Sequence, residues 1–546
     1  MVDASGAAPK VATPPAEPSD PGEDASPAAG LSESAEFALV LALIAIAIAL
    51  LEYFYAQNPI PPGVDPGDWI QRSYAWVGLP HPPVNSVGSP YLYPPMIFPI
   101  LGTLRVATGS PETTGLLFAA GLLASYGFTL WILARAAFVL PAHRLALVAL
   151  GLLNGTVVSM LFWGGYPNFL AFSFVNLTLA CLIRFLRAPS TGRALGTWAF
   201  ASLTYLTHTL TFDLLLAVVL LAFLFVLLLG RLPWRQVFHR GNIAGLLLLG
   251  AVVGTYTALT DLFHIPHIDY LHSNPPAFTL VGLGTLFTPL ARAPAITPMG
   301  DSFILPPLQV AGLLAVGGLL ALLVPVILAW RVPRRWGFPV LIGGSWLGLM
   351  LLAPVGGYFV HVDTDYSRFV YFFPLPFAFL GLAIYEGALP PGLLASAAEP
   401  GPVPSPPPSR YRLFRPQPYS ALSVGAVAIA IAFLLVNVTV PTMALGEQTD
   451  ATAAHDGPFL AAVDYLNANP AHGAVLTTQS AARWTEALTS RGAFDAGPTW
   501  LQFESWEITN AQEAYFALNS ETAVTNNLLV ASYSGYATAS LSQAPM

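Results

Sequence analysis

Charge is what this chain has least of. Only 9% of its 546 residues are Asp, Glu, Lys or Arg, and 55% are hydrophobic, whereas roughly a quarter of an ordinary soluble domain is charged. Lipid is therefore the solvent for most of the chain. The lone cysteine, Cys181, excludes a disulfide framework and a thiolate metal site. The lone lysine, Lys10, and a net charge of -8 leave no basic patch, which excludes nucleic acid as a partner. Residues 1–35 lack the basic start and adjoining apolar core of a signal peptide. Their Ala, Pro, Ser and acidic content reads as a disordered cytoplasmic tail.

Long apolar runs are what is present. LLLAVVLLAFLFVLLLG at 214–230 is apolar on every face, which excludes the alternating strands of a membrane barrel. The expected fold is an all-α polytopic bundle of about eleven spans, near 36–55, 114–134, 145–162, 169–186, 194–210, 213–230, 242–262, 308–330, 337–354, 369–386 and 419–441. Cytoplasmic loops hold an excess of basic residues near span ends. Lys10 and the arginines at 135, 144, 184, 187, 193, 231, 235, 240, 331, 334, 335, 410, 412 and 415 alternate cleanly onto one side, so the N-terminus is inside and the C-terminus outside. Arg72, Arg105, Arg292, Arg368, Arg483 and Arg491 fall outside.

The same alternation settles YLYPPMIFPILGTL at 91–104. Counting it as a span would invert every later loop, and Pro94, Pro95 and Pro99 oppose a regular helix there. Residues 56–113 thus form one long outer loop within a membrane domain of 36–441, with 91–104 at the membrane surface. Residues 387–418 are a Pro-rich cytoplasmic linker. The more polar 442–546 reads as a small α/β extracytoplasmic domain, with helices at FLAAVDYLNA and SAARWTEALTS around a strand at AVLTT. It stops at SLSQAPM without a closing element, as expected of a domain that continues further.

Ionisable groups avoid the span midpoints and collect at outer ends, where eight of the ten histidines also lie. After the first span, PIPPGVDPGDWIQRSYAW carries Asp65 and Asp68. A carboxylate at the surface can act as general base toward a hydroxyl or hold a divalent cation that neutralises a phosphate. The plainer reading gives Asp65 a turn before Pro66 and makes Asp68 the cap of a helix starting at Trp69. In WGGYPNF at 163–169, the glycines permit close backbone approach or unusual dihedrals, while Tyr166 and Asn168 offer a stacking face and an amide. A tight interfacial turn explains the same residues.

LTHTLTFD carries His208 and Asp213, which equally suit the end of one helix and the start of the next. Asp261 closes a span, and HIPHIDYLH then places His264, His267, Asp269 and His272 on the same side. These have metal-ligand chemistry, in a spacing that fits no strong signature. HVDTDYSRF carries His361, Asp363, Asp365 and Arg368, whose guanidinium fork suits a lipid phosphate or a structural pair with either aspartate.

Taken together, the long acidic first outer loop, the His- and Asp-rich outer loops and the outer C-terminal domain resemble the GT-C superfamily of polytopic glycosyltransferases that use polyprenyl-phosphate sugars. The segment YLNANPAHGAVLTTQSAARWTEALTSRGAF also looks like a tail segment of archaeal and bacterial membrane proteins related to it. The resemblance is architectural and covers most of 36–500. It implies a polyprenyl-phosphate-linked sugar donor and a protein, lipid or glycan acceptor. It casts Asp65 or Asp68 as the acidic catalytic residue and Arg368 as the carrier clamp, with His208, Tyr166, Asn168, Asp363 and Asp365 as further substrate-binding groups. A divalent cation on His264, His267 and Asp269 is a further expectation. The first loop has no adjacent acidic pair and the chain no WWDYG-like motif, which disfavours oligosaccharyltransferase activity.

Two rival functions fit a polytopic chain. A transporter or lipid flippase calls for polar, broken helices meeting near mid-membrane. A non-catalytic anchor would present a recognition domain, with Trp484, Glu486 and Arg491 as surface recognition residues; the plainer reading is that these three pack the domain.

Overall fold

The computed structural model describes residues 32–55, 60–63, 65–79, 93–231, 234–262, 308–331, 334–356, 369, 371–389, 457–468, 475–477, 479–489, 493–495 and 529–530. The helices in chain order are α1 (Glu33–Tyr55), α2 (Asp65–Val77), α3 (Ile97–Thr108), α4 (Pro111–Ala137), α5 (Pro141–Leu152), α6 (Gly155–Trp163), α7 (Tyr166–Arg187), α8 (Thr191–Tyr205), α9 (Thr209–Leu228), α10 (Trp234–Val237), α11 (Arg240–Leu262), α12 (Leu308–Arg331), α13 (Arg334–Gly356) and α14 (Pro374–Ala388). Beyond them lie α15 (Gly457–Ala468), β1 (Val475–Thr477), α16 (Gln479–Leu488), β2 (Ala493–Asp495) and β3 (Leu529–Val530). The strand order is β2-β1-β3, with β1 parallel to β2 and antiparallel to β3.

Among the described residues, eight helical stretches are long and apolar enough to cross a membrane. The protein is a multi-pass membrane protein. Eight of the eleven expected spans are among these stretches, including Pro141–Phe162 for the one expected at 145–162. Within that stretch the chain passes from α5 to α6 at Asn154, whose side chain turns back to accept from Val157 N at 3.1 Å and starts the second helix. The spans expected at 194–210 and 369–386 appear as α8 and α14, each 15 residues, or about 22 Å at 1.5 Å per residue. The span expected at 419–441 lies outside the described residues. Within 91–104, the helix that forms is α3, whose 12 residues cover about 18 Å, too short to cross.

Caps set the breaks. Ser110 accepts from Thr113 N ahead of α4, with Pro111 in the first turn where no N–H is needed. Ser190 does the same for α8 and His208 for α9. α4 and α7 form the centre of the bundle, where Tyr126 and Phe169 pack 4.9 Å apart and fully buried. Asn176 of α7 donates to Thr129 Oγ1 of α4 at 3.3 Å, the kind of polar link that helices use where no hydrophobic drive separates helix from lipid.

The two ends of the bundle differ in chemistry. At one end Glu36 accepts from Trp131 Nε1 at 2.8 Å and from Arg144 at 3.0 Å, and Glu33 pairs with Arg135. Arg187 donates to the carbonyls of Ala136 and Ala137, and Arg240 to Thr191 Oγ1 at 3.2 Å. Glu386, at the end of α14 and fully buried, receives Val139 N at 2.8 Å, Leu140 N at 3.3 Å and His143 Nδ1 at 2.8 Å. It therefore caps α5 from another helix. The opposite end carries α2, α3 and the elements from α15 onward.

Glu386→Ala leaves two backbone N–H groups of the α5 entry without their acceptor. The expected cost is about 1–3 kcal/mol, read as a lowered unfolding midpoint in detergent, and an unchanged midpoint would contradict the capping role.

Candidate active site around Asp65

α2 is a short amphipathic helix that opens on two acidic residues, a favourable sign for the positive N-terminal end of a helix dipole. The helix begins at Asp65 and not at Trp69, so Asp68 lies inside the first turn and caps nothing. It bonds Arg72 Nε one turn later at 2.9 Å, and its side chain is 4% exposed. Asp65 pairs with Arg483 from α16 and keeps its side chain 25% exposed. The two carboxylates thus diverge: Asp68 is enclosed in an ion pair of its own helix, and Asp65 faces a space that solvent reaches.

Contacts on two sides of α2 hold Asp65 in place. Gly164 ends α6 at φ 93°, in the left-handed region that only glycine enters cheaply. A Cβ there would sit 2.3 Å from Pro66 Cδ and 2.7 Å from Asp65 Cβ, so α2 rests directly on the turn. The carbonyl of Gly164 accepts from Trp69 Nε1 at 2.7 Å, and Tyr55 donates to Leu161 O at 2.7 Å from the α1 side. On the other face, α16 seats on α2. Trp484 Nε1 donates to Gly63 O at 2.8 Å, and Tyr74 donates to Ala487 O at 2.7 Å. Burial pushes the Tyr74 phenol above its ordinary range, which Arg105 beside it partly opposes, so the hydroxyl keeps the proton it donates.

His208 caps α9 and is buried, its Nδ1 accepting from Thr211 N at 3.2 Å. In that bond the proton belongs on Nε2. Its ring lies 6.3 Å from Tyr93, which lies 4.7 Å from Trp69, so an aromatic bridge joins it to α2. Tyr166, expected as a stacking face, is instead fully buried against Phe118 at 5.4 Å, because Pro167 and Phe169 turn that first turn of α7 into the core. Asn168 is half-buried on the same turn, Asp213 is half-buried on α9, and Asp261 lies in the last turn of α11. Trp484 and Glu486 are buried, as the packing reading of them expects.

Arg368, Asp363, Asp365, His361, His264, His267, Asp269, His272 and Arg491 lie outside the described residues. Among the described residues no group of three His, Cys, Asp or Glu side chains could hold a metal. Asp65 and Asp68 are each paired with an arginine. Sequence reading missed Arg483 as a site residue. Its one available signal was its place among the few basic residues assigned to the outer side.

A small, mostly apolar cavity of about 20 Å³ is lined by Tyr126, Phe172, Asn176, Thr211, Trp346 and Tyr371 among others. Among the described residues its lining carries no acidic, basic or histidine side chain.

No family model matches the chain, and no curated protein matches it. Solved structures do. Over 93% of this chain and 99% of the other, the fold matches the crystal structure of ArnT from Cupriavidus metallidurans bound to undecaprenyl phosphate, with TM-score 0.51 and 14% identity. The same protein in the apo state matches at TM-score 0.34 and 15% identity, over 65% of this chain and 78% of that one. The chain shares its fold with the first of these structures.

Gly164→Ala should cost on the order of 1–3 kcal/mol for the left-handed backbone alone, with a further penalty from the clash with Pro66. A melting midpoint equal to wild type would mean that α2 does not rest on this turn.

Proposed function

We propose that this protein is a membrane glycosyltransferase that moves a sugar from a polyprenyl-phosphate carrier to an acceptor on the extracytoplasmic face. The observation that carries the reading is Asp65: a partly exposed carboxylate at the start of the first-loop helix, fixed from two sides. The GT-C-like fold supports it, as does the undecaprenyl phosphate bound by the solved neighbour. The acceptor hydroxyl attacks the anomeric carbon as the bond to the carrier phosphate breaks, the electron pair leaves with the phosphate, and Asp65 takes the acceptor proton. Arg368 clamps the carrier phosphate, and His208, with its proton on Nε2, donates to the substrate. Asn168, Asp363 and Asp365 remain proposed substrate contacts. Tyr166 supports the site from the core, and Asp68 supports it through Arg72.

The proposed topology has eleven spans, a cytoplasmic N-terminus and an outer α/β domain at 442–546. The grouping of arginines at the Glu36 end supports it. In a Cys181→Ser background, Ala107→Cys on α3 should react with an impermeant maleimide in intact cells, and Ala188→Cys after α7 only in opened ones. The reverse pattern would invert the topology.

For activity, the full chain in nanodiscs is given a panel of undecaprenyl-phosphate-linked sugars together with hydroxyl-bearing lipid, peptide and glycan acceptors, and release of undecaprenyl phosphate is followed. Asp65→Asn is expected to lose about 10²-fold or more, while Asp68→Asn keeps most turnover and lowers the unfolding midpoint. Full turnover by Asp65→Asn, or no turnover of any donor by wild type, would contradict the reading.

A further inference from the structure

The segment after the membrane domain supplies one residue to the first-loop site, and the way it is seated gives that residue a task. α16 lies on α2 so closely that a Cβ on Gly67 would stand 2.8 Å from Arg483 O. On either side of that contact the seat is pinned by donors to backbone carbonyls, Trp484 to Gly63 and Tyr74 to Ala487. Trp484 is fully buried, so α16 is held without help from its arginine. The Arg483 guanidinium then reaches back from this fixed platform to Asp65 Oδ1.

We infer that Arg483 is the positioning residue for Asp65, and that the C-terminal segment is thereby a required part of the active site and not an appendage to it. This rests on the assignment of Asp65 proposed above. Gly164 and Pro66 fix the Cβ of Asp65 but not the rotation of its carboxylate. A planar guanidinium can fix that rotation and hold the group ionised. A partly exposed ion pair contributes little to stability, so the consequence of this one falls on the chemistry. Proton abstraction tolerates little misplacement of the base. Asp68 shows the contrast: its arginine is on its own helix, one turn away, and reports nothing about whether the C-terminal segment is seated.

The test uses the full chain in nanodiscs and the undecaprenyl-phosphate-linked sugar that wild type turns over. Arg483→Gln is expected to lower kcat about tenfold or more with KM for the donor within about twofold, with an unfolding midpoint near wild type. Arg483→Lys, which keeps the charge on the same platform, restores most of kcat. Asp65→Asn combined with Arg483→Gln is no slower than Asp65→Asn alone, because the arginine acts through the aspartate.

Wild-type kcat in Arg483→Gln beside an inactive Asp65→Asn would overturn this inference alone. So would losses that multiply in the double variant, or a change confined to KM, which would put Arg483 on the donor itself. A faster Arg483→Gln enzyme would make the pair an inhibitory latch and reverse the inference. An active Asp65→Asn would remove the aspartate assignment and this inference with it.

Discussion

The turn at Gly164 leaves no room for a side chain, and the geometry of the α2 end follows from that. Pro66 and the Cβ of Asp65 occupy the space a side chain would take. The backbone accepts the arrangement because glycine alone reaches φ 93° without strain. The carbonyl freed by the turn is used by Trp69, which then meets Tyr93 and through it His208. At this place only the Pro66 ring and the Cβ of Asp65 stand between α2 and the turn. That contact fixes the Cβ of Asp65, and Arg483 pairs with the carboxylate beyond it.

At the other end the physics is different. Glu36 and Glu386 are buried carboxylates, and each is matched by donors: an indole and a guanidinium for the first, two helix-entry amides and an imidazole for the second. Such fully satisfied networks rigidify the bundle and leave little reactivity. The contrast with Asp65, which shares its arginine with solvent, separates a structural carboxylate from a candidate catalytic one.

Much of this was legible in the sequence. Low charge and uniform apolar runs dictate a helical membrane protein, and WGGYPNF announces an unusual backbone at Gly164. Asp65 stands out as an acidic residue after the first span. Most of what was not legible depends on pairings distant in the chain. The i,i+4 pairing of Asp68 with Arg72 is local and shows only once the helix is started at Asp65, and the break at Asn154 is hidden by apolar residues on both sides. That Tyr166 turns inward depends on Phe118 of α4. The bond between Asp65 and Arg483 spans most of the chain, and no periodicity connects two such positions.

The account makes the Asp65 end the working end of the molecule, with the C-terminal segment closing it. The most direct measurement is an experimental map of the full chain in nanodiscs with undecaprenyl phosphate bound. The account predicts the phosphate at the α2 end, beside Asp65 and the Gly164 turn, with α16 seated. A phosphate resting at the Glu36 and Arg144 end of the bundle would contradict it.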